Sequence, residues 1–488
     1  MLPTLLRSHY PAVRLGPRAA DEEGGESMPV VSAADGVCLA RQGTATPAQI
    51  QAAVAAARAA LPSWRRTTPA YRGALLRAVA DRIEARRDDL VALQRCVSGK
   101  PRVEAEFDVA DAAACFAYYA QLCAEGIVDA AQPVALPMQG VSAQRRYEPV
   151  GVAALVVPWN FPMVTSAWKL APALAAGCTA VLKPSELTTP MEHALLDILH
   201  EAGLPAGVVC MVCGGPAVGA ALVADPSIDK ISFTGSTAVG REVMKVAAER
   251  FKRVTLELGG KSALIVREDA DVQRAVDLAV SGAFTNAGQM CSATSRILVH
   301  RSVHASFLQA MAQAVQGLVA GPDDLPGCTV GPIISAPHRA RVEALLQRGC
   351  DAGAAMLCHG LVAHGAGAGH FMAPVVVAPA DEQNVLWQEE IFGPIACVRA
   401  FDTDDEALAA ANATAYGLVA TVVTRSAEAA SRYERELRAG LVWVNTPQLV
   451  FPQVCWGGLG ASGLGRELGI EGLRCFQELR HAVVAHAS

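Results

Sequence analysis

At 488 residues and 50.8 kDa the chain is too long for one hydrophobic core, and a usual domain size of roughly 150 residues sets an expectation of about three domains. Its 52% apolar and 18% charged residues, with a mean hydropathy of +0.28, exclude a disordered chain. Forty-one basic against 47 acidic residues give a net charge of −6 with no block of like charge, which excludes nucleic acid as a partner. Fourteen cysteines at irregular spacings are too sparse for a disulfide scaffold. The close pair Cys210 and Cys213 has no second CxxC to complete a zinc site, so both read as buried thiols, no metal is expected, and a reduced, cytoplasmic protein is the expectation.

The first twenty residues carry arginines and no acid, but Pro3, Pro11 and Pro17 interrupt them and no apolar core of a signal peptide is present. Residues 1–45 are weakly patterned, with a Pro/Gly/Glu-rich patch from Glu22 to Pro29. At Thr46 a Thr-Pro cap signal opens an alanine-rich helical region that runs to about Cys123. From Pro149 to Trp168 there is no charge, yet Pro158 and Pro162 would break a membrane helix, so the run reads as a buried strand, Val150 to Val157, and a rigid loop. The uncharged stretch 352–380 is a glycine-rich loop rather than a span, and no membrane partner is expected. Between these, strands such as TAVL and KISFT alternate with helices of ordinary length, and a second alternating region runs from Val254 to about Val444. Such alternation predicts βαβ units and parallel sheets, an α/β protein. The last forty residues hold WGGLGASGLGRELG and a strand-like HAVVAH.

Five short signals carry chemistry, each with a plainer competitor. Gly235-Ser-Thr-Ala-Val-Gly240 follows a strand and opens a helix, as a pyrophosphate cradle does, although taken alone a tight turn explains it better. Lys183 and Glu186 stand at the carboxyl end of a strand, where a carboxylate can bond ribose hydroxyls, or they are ordinary surface residues. Cys291 lies in the polar, glycine-containing NAGQMCS, which favours a reactive thiol over a buried small hydrophobe. Glu257 is a lone carboxylate in an apolar stretch, either a general base with a raised pKa or a satisfied buried acid. Asn160, held between two prolines, offers an amide donor for an oxyanion.

Taken in order, PWNFP (158–162), KPSE (183–186), FTGS (233–236), ELGGKS (257–262), NAGQMCS (286–292), EEIFGP (389–394) and SGLGRELG (462–469) resemble the NAD(P)-dependent aldehyde dehydrogenase superfamily from about Ala48 to the C-terminus. AWKLAPALAAGC (167–178), CSATSRILVH (291–300) and the segment from Trp443 through CWGG (455–458) resemble its betaine-aldehyde and aminoaldehyde dehydrogenases. The resemblance implies Cys291 as nucleophile, Asn160 and the Cys291 N–H as oxyanion donors, and Glu257 as the base that activates water. It implies Lys169 and Glu467 as groups that move protons near that base. For NAD, with NADP possible, it implies Trp159, Lys183, Glu186, Gly235, Ser236, Glu390 and Phe392. Glu186 would favour NAD, because a 2′-phosphate brings like charge against it.

The implied fold has three parts. A Rossmann-like cofactor domain spans 1–126 and 147–255 with 456–474 packed back on it, a catalytic domain spans 256–455, and an oligomerisation ribbon of 127–146 and 475–488 implies a homodimer or homotetramer. Two departures stand out: the first forty-odd residues lack the family's opening β-hairpin pattern, and Thr285 stands where the betaine-aldehyde subgroup often has tryptophan. The expected substrate is an aldehyde bearing an amine or ammonium group, with apolar aldehydes as the alternative. Phe161, Trp168, Phe451 and Trp456 match the substrate channel, and ring faces attract cations. Asp108 and Asp111, three apart on a helix, share a face that by resemblance borders the channel mouth. Leu441 and Thr285 favour primary-amine aldehydes over betaine aldehyde. A CoA-acylating enzyme is opposed by Glu257, and a non-catalytic scaffold by Cys291, Glu257 and Asn160 together.

Overall fold

In the computed structural model, residues 3–17 and 26–486 are described. Two seven-stranded sheets carry the molecule. The first places, in spatial order, Val13–Arg14, Val209–Val212, Thr179–Lys183, Val152–Val156, Lys230–Thr234, Arg253–Glu257 and Gly463–Leu464. Its five central strands are parallel, and the two short edge strands are antiparallel. Runs such as Val152-Ala-Ala-Leu155 and Thr179-Ala-Val-Leu182 are buried along their length, because helices cover both faces of a parallel sheet. The strand order reverses between Val152–Val156 and Lys230–Thr234, which makes the crevice beyond their carboxyl ends the place where such a sheet takes a ligand.

The second sheet runs Ala355–His359, Val375–Ala378, Ile395–Phe401, Arg296–His300, Ala263–Val266, Val419–Val423 and Leu441–Val444, parallel except at the Ala355–His359 edge. The chain crosses from the first sheet to the second within six residues, from Glu257 to Ala263. A third, three-stranded antiparallel ribbon pairs Gln477–Ala485 with Val141–Pro149, and that strand with Gln132–Val134.

The helical region starts as its cap signal indicates. Thr46 closes a capping box with Gln49 at the head of the Pro47–Trp64 helix. The Pro69–Ala85, Arg87–Ser98 and Arg102–Ala124 helices follow, and the last packs on the Pro162–Ala176 helix behind the first sheet. The N-terminal reading needs correction. An opening hairpin is present, with Ser27–Val31 antiparallel to Cys38–Gly43 and His9–Tyr10 alongside the latter. Its outer strand carries Pro29, which an edge strand tolerates but which hides the strand pattern. Part of the Glu22–Pro29 patch lies outside the described residues. Cys210 and Cys213 are both buried, as expected. No helix among the described residues is long and apolar enough to cross a membrane.

Candidate active site

Glu257 ends a strand of the first sheet, and the glycines after it let other loops close in. A Cβ on Gly259 would lie 2.2 Å from Glu390 Oε2, one on Gly260 would lie 2.4 Å from the Cys291 carbonyl, and one on Gly457 would lie 2.7 Å from Glu257 Oε1. Backbone blocks a side chain at Gly260 and a φ of 144° disfavours one at Gly457, whereas at Gly259 it is the Glu390 carboxyl that would have to move. Both Glu257 carboxyl oxygens are buried without a hydrogen-bond partner. Burial first, and then Glu467, push its pKa well above the usual carboxylate range, while Lys169 and Arg466 pull the other way. Behind it, Lys169 from the Pro162–Ala176 helix is ion-paired with Glu467 and donates to Ser232 Oγ at 3.2 Å, and Ser232 donates to Glu467 at 3.2 Å. Sequence reasoning missed Ser232, which carries no motif of its own.

Cys291 follows a loop in which Asn286, Ala287 and Gly288 are all left-handed, with φ of 52°, 52° and 70°. Amides tie this loop down. Asn160 Nδ2 donates to the Gln289 carbonyl at 3.0 Å, Asn286 Nδ2 donates to the Asn160 carbonyl at 3.1 Å, and Gln289 Nε2 donates to the Asn286 carbonyl at 2.9 Å. One Asn160 N–H is thereby used, which leaves its second N–H as a donor. Burial, then Glu390 and Glu257, push the Cys291 thiol up to about 12, while the backbone N–H groups of Ser292 and Cys291 pull it down.

The cofactor candidates gather at the switch point and across from it. Trp159 and Asn160 follow the Val152–Val156 strand, and Gly235 and Ser236 follow Lys230–Thr234. Gly235 N–H is spent on the Glu257 carbonyl at 3.0 Å, and Ser236 Oγ caps the Thr237–Ala248 helix by accepting from Val239 N–H at 3.4 Å. The remaining first-turn amides of that helix are the groups left there that can bond an anion. Lys183 Nζ stands 3.4 Å from Glu186 Oε2 at the end of the next strand. Glu390 Oε1 accepts from Gly260 N–H at 3.0 Å, and burial raises its pKa to about 7. Phe392, with φ 56°, sets its ring perpendicular to Trp159 at 5.4 Å. His338 bonds the Phe392 carbonyl at 2.8 Å, and Arg341 donates to the Ile391 and Glu390 carbonyls. These two residues on the Ala336–Asp351 helix also escaped sequence reasoning, since a basic pair three apart is commonplace.

The substrate candidates are only partly brought together. Trp168, Trp456 and Trp443 form a cluster, with ring centroids 5.5 and 6.1 Å apart. Phe451 is exposed on the loop beyond. The reading of Asp108 requires correction. Asp108 is buried, accepts from the Gln94 amide, and is ion-paired with Lys100 at 2.6 Å, so it is no free carboxylate at a channel mouth. Lys100 Nζ also sits 3.9 Å from the Phe161 ring centroid, so the chain's own ammonium occupies that ring face. Asp111 lies beside Trp168, its pKa raised to about 7 by burial and by Asp108. Thr285 turns its hydroxyl back on the Ser281 carbonyl at 2.8 Å.

A thiol and a buried carboxyl at one sheet's end, beside a nucleotide-type switch point, suit an oxidoreductase that holds a carbonyl carbon on sulfur. The chain belongs to the aldehyde dehydrogenase family, whose sequence profile matches residues 20–482. It is 41% identical to the chloroplastic betaine aldehyde dehydrogenase of Beta vulgaris over 88% of this chain and 87% of that one. It is 40% identical to the peroxisomal aminoaldehyde dehydrogenase 2 of Pisum sativum over 91% of this chain and 90% of the relative. The fold matches betaine aldehyde dehydrogenase from Staphylococcus aureus in complex with NAD+, with a TM-score of 0.91, 34% identity, and 95% and 92% of the two chains covered.

The buried Lys169–Glu467 pair yields a direct expectation. Glu467→Ala leaves an uncompensated ammonium in the interior and is expected to lower stability by about 3–5 kcal/mol in urea denaturation. The Lys169→Met/Glu467→Leu double variant should recover most of that. A loss below about 1 kcal/mol for the single variant would show that water reaches the pair.

Proposed function

We propose that this enzyme oxidises an aldehyde bearing an amine or ammonium group to its carboxylate, with NAD as hydride acceptor. The observation that carries the chemistry is Glu257, a buried carboxyl with neither oxygen bonded, facing the loop of Cys291. The Cys291 sulfur adds to the carbonyl carbon, and the spare Asn160 N–H and the Cys291 N–H hold the resulting oxyanion. The nicotinamide supplies the hydride acceptor, and hydride loss from the thiohemiacetal leaves a thioester on Cys291. Glu257 then takes a proton from water, the hydroxide adds to the thioester carbon, and the carbon–sulfur bond breaks to release the carboxylic acid and the thiolate, the acid giving its remaining proton to solvent as the carboxylate leaves. Lys169, Ser232 and Glu467 lie next in line to receive that proton.

The residues present fit a dinucleotide. Glu390 Oε2 is left over by the Gly260 bond and can take nicotinamide-ribose hydroxyls, Glu186 can take the adenosine ribose, and the first turn of the Thr237–Ala248 helix can take pyrophosphate. Glu186 favours NAD over NADP, and Lys183 beside it softens that preference.

For the substrate, the indole cluster of Trp168, Trp443 and Trp456 and the aminoaldehyde and betaine-aldehyde relatives support a cationic group. The neutralised Asp108 and the Lys100-covered Phe161 face favour the second reading, an apolar aldehyde. We further propose that Gln477–Ala485, an edge strand with Leu479, Val483 and Val484 exposed, pairs with a second copy in a homodimer or homotetramer. The described cysteines form no disulfide, which supports a reducing compartment such as the cytoplasm, although the named relatives are chloroplastic and peroxisomal. Cell fractionation of the full chain tests that placement.

Cys291→Ala should abolish NADH formation. Glu257→Gln should give a burst of about one NADH per subunit followed by a slow rate. Because burial raises the Glu257 pKa, its basic form grows with pH above the ordinary carboxylate range, so wild-type hydrolysis should rise with pH there and the glutamine variant should lose that rise. Wild-type-like turnover by either variant would move the chemistry to other residues.

The substrate reading is tested by kcat/KM for aminobutyraldehyde, betaine aldehyde and hexanal, each with NAD and NADP. Aminobutyraldehyde with NAD is expected to lead. A tenfold lead for hexanal, about 1.4 kcal/mol of transition-state discrimination, would establish the apolar reading instead.

Sedimentation velocity tests the assembly. Val483→Arg should at least halve the particle mass, and an unchanged mass would place the interface elsewhere.

A further inference from the structure

The structure assigns to Glu104 a positioning role: its carboxyl stands in for a missing helix carbonyl and holds the left-handed approach to Cys291 in place. This inference rests on the reading of Cys291 as nucleophile.

The helix Val272–Phe284 leads into the nucleophile loop. Were the helix to continue, the Asn286 N–H would donate to the Gly282 carbonyl, four residues back. That carbonyl is already taken: Thr294 N–H donates to it at 2.9 Å, from the far side of Cys291. The Asn286 N–H instead donates to Glu104 Oε1 at 2.9 Å, across 182 residues of sequence. Asn286 and Ala287 then both take φ of 52°, a conformation that non-glycine residues adopt only where the surroundings enforce it. Ala287 has no polar side chain with which to enforce anything, and it is buried. The side-chain amides of Asn286 and Gln289 bond backbone carbonyls, which leaves the Asn286 N–H to Glu104.

Glu104 is an expensive residue to keep there. It lies in the first turn of the Arg102–Ala124 helix, and its second oxygen is buried with no partner. Burial raises it to about 7, Lys100 and the Asn286 N–H pull it down, and Asp108 and Asp323 push it up. Lys100 one turn away is committed to Asp108. Its one hydrogen bond is therefore the one that reaches the loop of the reacting thiol. A half-buried acid whose second oxygen is buried unbonded, kept for a single bond to that loop, is placed for geometry rather than stability. Small displacements of a nucleophile reduce rates steeply, so the bond is expected to act on Cys291 rather than on NAD affinity.

The test compares Glu104→Met, which fills the space and accepts no hydrogen bond, with Glu104→Gln, whose carbonyl oxygen can accept the same N–H. The rate of alkylation by iodoacetamide is read at Cys291 by peptide mass, alongside kcat and KM for NAD. The methionine variant is expected to lose about tenfold or more in both alkylation rate and kcat, with KM for NAD within twofold. The glutamine variant should remain within threefold of wild type. Adding Ala287→Gly, which relieves the left-handed residue, should restore part of the methionine variant's loss. Equal labelling and turnover in all variants overturns the inference, as does a glutamine variant as poor as the methionine one, or a KM for NAD that rises in step. Should Glu104→Met fail to fold, Ala287→Gly is combined with it: recovered folding supports the inference, and continued failure overturns it. If alkylation in the wild type does not fall on Cys291, or Cys291→Ala still turns over, the catalytic reading fails first, a result distinct from equal labelling across the Glu104 variants.

Discussion

The chain passes from one sheet to the other through Leu258, Gly259 and Gly260, and the close packing at that crossing sets where every reacting group can stand. Glu390 presses on Gly259, the Cys291 carbonyl presses on Gly260, and Glu257 itself abuts Gly457. The nucleophile loop makes the same kind of contact with the 389–394 loop, since a Cβ on Gly288 would lie 2.2 Å from the Gly393 carbonyl. Four loops from distant parts of the sequence are thus drawn together on backbone surfaces. Interiors packed to this density transmit small displacements, so a methyl group at Gly260 or Gly288, where the close atom is backbone, would displace the Cys291 loop.

The same packing governs charge. Glu257 is buried and Glu390 and Cys291 are half-buried, and desolvation is the largest cause that raises all three pKa values. Glu390 and Glu257 also push the Cys291 thiol up, so the thiolate is disfavoured wherever those carboxyls are ionised. Lys169 could have neutralised Glu257 directly, but it is committed to Glu467 and Ser232. Charge therefore has to appear one group at a time. That order suits a reaction in which the thiol must become an anion before the aldehyde adds, and the carboxyl must accept a proton only once the thioester exists.

Much of this was legible in the sequence where the chemistry is local. A glycine turn after a strand, an asparagine between prolines, and a cysteine in a polar glycine-containing loop each announce themselves within six residues. Parallel sheets showed as short strands alternating with helices of ordinary length. What escaped was long-range. Helix periodicity correctly placed Asp108 and Asp111 on one face, but periodicity says nothing about which way that face looks. Lys100, which neutralises Asp108, lies just before the helix begins, beyond any i,i+4 rule. Glu104 meets Asn286 from 182 residues away, and His338 and Arg341 hydrogen-bond backbone carbonyls, a contact no side-chain pattern records. The opening hairpin was hidden for a different reason, its proline on an edge strand.

The indole cluster shows how such long-range assembly bears on specificity. Trp168 comes from a helix behind the first sheet, Trp443 from the last strand of the second, and Trp456 from the loop that also abuts Glu257. The three rings meet only when both sheets are docked, so the wall is rigid, and it is built of ring faces and edges rather than of ionised carboxylates. With Asp108 paired and Phe161 covered by Lys100, Asp111 is the remaining acid beside those rings, and burial keeps much of it protonated near neutrality. An exposed or partly exposed ring face contributes about 0.5–1 kcal/mol to a cation, rising to about 2 when both are desolvated. The same faces bury an aliphatic chain at about 25 cal/mol per Å². Attraction to a substrate ammonium and to a plain hydrocarbon tail are then of similar size, so discrimination between them in this site is set by how completely the ring cluster strips water from the ammonium.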